Sequence, residues 1–294
     1  MNGNRNGRNN QARLNKTIKV APTTRAIRAA LAVSATMLAL AGSGVAYAGN
    51  CSVSALNTVS CNGVFTDTVI GFIPTDDLTL ILGDTAPTSV TPSSGDPGLV
   101  AVWDNVTVVS YADITTEAAD GIFAASDEDV SVTNHGNITT DATDTSTANA
   151  IDVFAGGDVT IVNDGDILAY SNYGNYYVYA VNAVSLTGNI TIENQEGGTI
   201  LGSAYSENGY GVHAVAYDGD VTVNNAGSIA GSSFTSNATG VNIGSLNGNA
   251  TVNNSGHIEA YSLRDDAVGV SVLSVFGNAV VDNSGSIDAG GYGL

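Results

Sequence analysis

Asp220-Val-Thr-Val-Asn-Asn-Ala-Gly-Ser-Ile-Ala230 is not unique in its chain: the same pattern opens at Asp129, Asp158, Asn189, Asn249 and Asn278, with a worn copy at Asn105. The starts at 105, 129, 158, 189, 220, 249 and 278 are separated by 24, 29, 31, 31, 29 and 29 residues. Repetition at such a period decides the architecture before any single residue does. Each copy has three parts. The first is a Val-x-Val equivalent, such as Val130 and Val132 or Ile190 and Ile192. The second is Asn-x-Gly followed by one Ile: Ile138, Ile167, Ile200, Ile229, Ile258 and Ile287. After a variable polar stretch comes the third, as in Ala238-Thr-Gly-Val-Asn-Ile243 and Ala267-Val-Gly-Val-Ser-Val272.

All three parts alternate apolar and polar residues, the period of a strand rather than of a helix. Thr, Val, Ile, Asn and Gly are poor helix formers, which sets helical repeats aside, and propeller blades need longer units. The pattern predicts an all-β chain, a parallel β-helix (β-solenoid) with coils of about 29–31 residues. Seven coils at ~4.8 Å each make a stack roughly 34 Å long.

Asn134, Asn163, Asn194, Asn225, Asn254 and Asn283 stand at one phase, with Ser110 in the worn copy. Two readings compete. Asn-x-Gly closes isolated hairpins, or the amides form a column bonded from coil to coil. A lone hairpin buries too little to persist in water, which favours the ladder. Gly136, Gly165, Gly227, Gly256 and Gly285 are then expected to supply a positive φ beside it.

The rest of the chain is less regular. Residues 1–28 carry Arg5, Arg8, Arg13, Lys16, Lys19, Arg25 and Arg28, followed by an apolar run and small residues at Ala46 and Ala48. This reads as a signal peptide over 1–48, an uncleaved anchor being the alternative. Residues 49–104, with Pro87, Pro92 and Pro97 in one loop, read as an irregular N-terminal cap over the open end of the strand stack, and 105–294 as the repeats. Cys51 and Cys61, the only cysteines, are expected to form a disulfide in an exported chain. Free thiols are the alternative, because two ligands make a poor zinc site.

Beyond residue 48 all 28 acids face a single Arg264, a formal charge of −27. That excludes a nucleic-acid footprint and opposes direct binding to anionic lipid. Candidate chemistry is thin. Arg264 beside Asp265 and Asp266 reads as a surface ion pair, His135 and His257 as turn decorations, and His213 as an outward strand residue. Asp76-Asp77, Asp127-Glu128-Asp129 and Asp265-Asp266 fall in loops or at repeat starts, where acids form turns. Loop carboxylates suit calcium in principle, yet the Gly-Gly-x-Gly-x-Asp nonapeptide is absent, so no metal or other cofactor is expected. Tyr170, Tyr173, Tyr176, Tyr177, Tyr179, Tyr205, Tyr210 and Tyr217 crowd the variable stretches of two neighbouring units. Tyr suits recognition of proteins or sugars, although some of these rings are equally expected to fill the core edge.

The long leader, the Cys51–Cys61 start and the serial Val-x-Val-x-Asn-x-Gly-x-Ile copies resemble the passenger region of a Gram-negative autotransporter, the type V secretion family. The resemblance implies export through the periplasm to the cell surface, an adhesive or spacer role, and a host or neighbouring-cell surface protein or glycan as partner. In that family a C-terminal outer-membrane barrel anchors the passenger; no barrel-type segments follow residue 278 here. Tyr292-Gly-Leu294 resembles the opening of a third part, compare Tyr210-Gly-Val212, so the chain is expected to be truncated within a repeat. The rival reading is a secreted β-helical polysaccharide lyase or hydrolase, which three carboxylates converging across successive strands would favour.

Overall fold

A computed structural model describes residues 50–55, 57–71, 77–142, 149–172 and 177–291. The predicted signal peptide, Asp76, Tyr173, Tyr176 and Tyr292-Gly-Leu294 lie outside them. From Asn50 onward the described chain is strand and turn, wound into a parallel β-solenoid. Each coil lays one strand on each of three sheets, A, B and C, of ten, nine and eight strands. Val-x-Val lies on sheet A, the Ile strand on sheet B and the third part on sheet C, as Val221–Asn225, Ser228–Ser233 and Ala238–Ser245 illustrate.

The alternation fixes the core. In Val221–Asn225 every second residue is buried, and the parallel register sets like on like: Val132, Ile161, Ile192, Val223 and Val252 form one column. Ile114, Ile138, Ile167, Ile200, Ile229 and Ile258 form another, each fully buried. Burying one such side chain contributes about 1.5–3 kcal/mol, and a coil obtains it only by stacking.

The corners are closed by side chains that repeat with the coil. Between sheets A and B, Asn134 Nδ2 donates to Asn163 Oδ1 at 2.9 Å, Asn163 to Asn194 at 2.9 Å, and Asn194 to Asn225 at 2.8 Å. Asn225 to Asn254 and Asn254 to Asn283 are both 2.7 Å. The same amides hold their own turns, as from Asn134 to the Gly136 carbonyl. After sheet C the Ser185 hydroxyl donates to the Gly157 carbonyl of the preceding coil and accepts from the Gly188 N–H; Ser245 and Ser274 repeat the arrangement. At the repeat starts, Asp129, Asp158, Asn189, Asp220 and Asn249 each accept, through the side chain, the backbone N–H of the equivalent residue one coil on. The acids that open the repeats are therefore inter-coil links.

The glycines of Asn-x-Gly differ from expectation. Gly136, Gly165, Gly227, Gly256 and Gly285 do not have positive φ. Their need is close approach: a Cβ on Gly227 would collide with the Gly198 carbonyl oxygen one coil away, and one on Gly256 with that of Gly227. Positive φ appears instead at Gly197 (90°), where Gln195-Glu196-Gly197-Gly198 lengthens the turn and returns Gly198 to the column.

The segment from Cys51 to Asp104 combines a capping strand with two short coils. Asn50–Ala55 runs antiparallel to Thr58–Asn62, with Cys51 opposite Cys61 and bonded to it, Cα–Cα 4.0 Å. Thr58–Asn62 and Asp77–Leu82 are already parallel strands of sheet A, in register with Asn105–Ser110. Strands of two or three residues (Val64–Phe65, Val69–Gly71, Ser89–Val90) continue them on sheets B and C. Short strands and proline-bearing turns hide these coils from a search for repeats.

Candidate functional site

Sheet C departs from simple alternation. In Val178–Ser185 two successive residues, Ala180 and Val181, point inward, so Tyr179 and Asn182 on either side both point out. The inner column stays small because a Cβ on Gly121 would collide with the Ile138 methyl, and one on Gly240 with that of Ile258. Two outward columns follow. One runs through Asp120, Asn149, Tyr179, Tyr210 and Thr239, the other through Phe123, Asp152, Asn182, His213 and Asn242.

Here neighbouring coils carry different residues, and those residues bond to one another. Asn182 Nδ2 donates to Asp152 Oδ1 at 2.8 Å, and His213 Nδ1 lies 2.9 Å from Asn182 Oδ1, which makes Nδ1 the protonated nitrogen. The Asn149 N–H donates to Asp120 Oδ1 at 2.8 Å, and the Asn149 side chain bonds Asp152. Asn149 Oδ1 is buried and has no partner. The rings of Tyr179 and Tyr210 stack at 4.9 Å, and His213 lies 5.0 Å from Tyr179.

Burial, then the adjacent Asp152 charge, pushes the Asp120 carboxyl up to about 7; the Asn149 N–H opposes the shift. Burial raises Asp152 to about 6 against the amides of Asn182 and Asn149. Burial also lowers His213 and raises Tyr179 to about 12. At neutral pH the stripe therefore carries a neutral His213 imidazole, a neutral Tyr179 phenol and a carboxyl pair that is only partly ionised. It is a weakly charged strip on a strongly acidic chain, offering amide, hydroxyl and carboxyl groups beside aromatic faces.

The tyrosines predicted to sit together in loops are divided. Tyr170 and Tyr210 are on strands Asp166–Ser171 and Gly209–Ala216, because the apolar-polar alternation continues through them. Tyr177 directly precedes Val178–Ser185, is 48 % exposed, and meets Tyr210 edge-on at 6.2 Å. Tyr205, in the turn after Thr199–Ala204, stacks on Phe234 at 4.9 Å, away from that cluster. Arg264 lies over the Phe234 ring at 5.1 Å rather than pairing with Asp265 or Asp266. His135 stacks on Tyr111 and bonds Asp164 at 2.8 Å, and His257 bonds the Ser286 hydroxyl.

Asp120, Asn149, Asp152 and Asn182 were not predicted. A signal was present in the residue between the apolar pair of the third part, where Asp152, Asn182, His213 and Asn242 are polar in successive copies. Among the described residues no group of three or more His, Cys, Asp and Glu is placed to hold a metal ion. An open groove of about 480 Å³ lies elsewhere, beside the Asn ladder, lined in part by Glu193, Asn224, Asn253 and Asp282. The ladder amides on its floor are occupied by one another.

Residues 45–292 match the family described as the BigA third pectate lyase-like domain. The chain belongs to this family. The match takes in every described coil of this BigA-type domain, so both sheet C columns lie inside it. No curated protein and no solved structure matches the chain.

Proposed function

We propose that this BigA-type domain is the β-helical passenger of an exported bacterial surface protein, a structural spacer that acts as an adhesin by binding glycan along the outer face of sheet C. Support for the surface role is membership of a family named for BigA, an autotransporter-like surface protein, together with the repeat and leader pattern. The carrying observation for glycan is the Tyr179–Tyr210 stack beside His213, Asn182 and Asp152. Flat aromatic surface bordered by amide and carboxyl groups is what a sugar ring with several hydroxyls needs. The test is a glycan array probed with wild type and Tyr179→Ala; binding that survives the substitution unchanged contradicts the assignment.

A second reading, a carbohydrate-active enzyme, draws on the Asp120–Asp152 pair, since perturbed carboxyls mark catalytic sites as well as structural ones. Two carboxylates converge there, not three. Incubating the protein with neutral and acidic polysaccharides distinguishes the readings. Product release that Asp120→Asn and Asp152→Asn both abolish favours the enzyme, and binding without products favours the adhesin.

A further inference from the structure

A different part of the same sheet carries an apolar band. Past the polar columns, the next outward position of sheet C reads Phe154, Val184, Val215, Gly244 and Leu273 in register. The turn that follows adds Leu186, Tyr217, Leu246 and Val275. Phe154, Tyr217 and Leu246 are 38, 48 and 40 % exposed within the stack, whereas Leu273, Val275 and Phe276 belong to the last described coil, beyond which no further sheet C strand is described. Contiguous exposed apolar surface of this kind marks an interaction site. Gly244 interrupts it: a Cβ there would find no atom nearer than Leu273 O at 3.8 Å, so packing does not require glycine, and its place is a notch between Val215 and Leu273.

One border of the band is acidic. Asp218 stands at the next turn position, Asp127 opens the corresponding turn of the coil before Phe154, and Asp129, Asp158 and Asp220 stand at the repeat starts further on, all exposed. Beyond residue 48 the chain offers only Arg264 as a counter-charge, and that residue lies over Phe234. Five strands at ~4.8 Å make the band about 19 Å long, the length of a helix of about 13 residues.

We propose that this band is the docking surface for a cationic amphipathic segment of a partner protein, its apolar face on Leu246, Tyr217 and the Gly244 notch and its Lys or Arg side chains along the Asp218 border. Apolar contact sets the affinity of such a surface, while the charge steers encounter and rejects acidic segments and a second copy of this chain.

The test measures, by fluorescence anisotropy on the purified protein, binding of a labelled 14-residue amphipathic Leu/Lys helix. A scrambled peptide of the same composition and a Leu/Glu version are the controls. The ordered Leu/Lys peptide is expected to bind at least tenfold more tightly than either control and to weaken as salt rises. Leu246→Ser and Tyr217→Ser are each expected to weaken it about tenfold. Gly244→Gln fills the notch at a position with room for a side chain, and is expected to weaken binding while leaving the thermal midpoint unchanged. Equal binding of the scrambled peptide, or unchanged affinity in all three variants, overturns the proposal. So does a wild-type dimer in sedimentation that Leu246→Ser dissolves, which would assign the band to a second copy.

Discussion

The corner between sheets A and B and the outer face of sheet C obey the same stacking rule with opposite results. At the corner each coil presents an asparagine to an asparagine, and amide hydrogen bonds run from Asn134 to Asn283 without a gap. Such a column has little bonding capacity left for a ligand. On sheet C the equivalent positions change from coil to coil, Asp to Asn to Tyr or Asp to Asn to His, and the column no longer satisfies itself. Burial holds the Asp120 and Asp152 carboxyls well above the usual carboxylate range, Asn149 Oδ1 stays unpaired within the stripe, and aromatic faces stay half open. At the corner the one such oxygen is Asn134 Oδ1 on the first rung, where the adjoining coil offers Ser110 instead of an asparagine. Regular repetition builds the solenoid; broken repetition is where recognition becomes chemically possible.

That contrast can be attacked from the corner first. Asn194→Ala removes the acceptor of Asn163 and the donors to Asn225, Gly198 and Ser228. Leaving such buried groups unpaired costs about 3 kcal/mol, read as a lower urea midpoint. Gly227→Ala places a methyl against the neighbouring carbonyl, and overpacking of this kind is expected to cost about 1–3 kcal/mol. If Gly227 were needed for φ instead, Asn, which tolerates left-handed angles, would rescue the site; close approach predicts that Gly227→Asn is no better than Gly227→Ala.

On sheet C the expected signature is pH. Asp120 and Asp152 hold protons more tightly folded than unfolded, with values of about 7 and 6 against 3.8. Their contribution is fully present below about pH 4, where folded and unfolded chains are both protonated. It is lost as pH rises through the folded values, because the folded chain must then ionise buried carboxyls. Asp120→Asn is therefore expected to flatten the fall in thermal midpoint between pH 4 and 7 and to raise stability at pH 8, by on the order of 1–2 kcal/mol. An unchanged slope would show that the pair is solvated.

How much of this could be read beforehand follows from which interactions repeat. The period-two pattern and the phase of the asparagines predicted the coils from Asn105 onward, because core and corner contacts pair a residue with its own equivalent. The role of the Asn-x-Gly glycines was misread, because a short turn and a close inter-coil approach leave the same letter in the sequence. The coils between Thr58 and Trp103 escaped notice because strands of two or three residues carry too little alternation. Asp120 and Asp152 were invisible for a related reason. Each is an ordinary acid in its own repeat, and only the outward kink before Ile122 and Ile151 brings them together across coils.

The most direct test measures glycan binding by wild type, Tyr210→Ala and Asn224→Ala on one array of neutral and acidic oligosaccharides. Tyr210 belongs to the sheet C stripe and Asn224 to the groove beside the Asn ladder. The expected result is at least a tenfold loss of binding in Tyr210→Ala, no change in Asn224→Ala, and thermal midpoints within a few degrees of wild type for both. Loss in Asn224→Ala with binding retained in Tyr210→Ala would place recognition on the repetitive face and contradict the account.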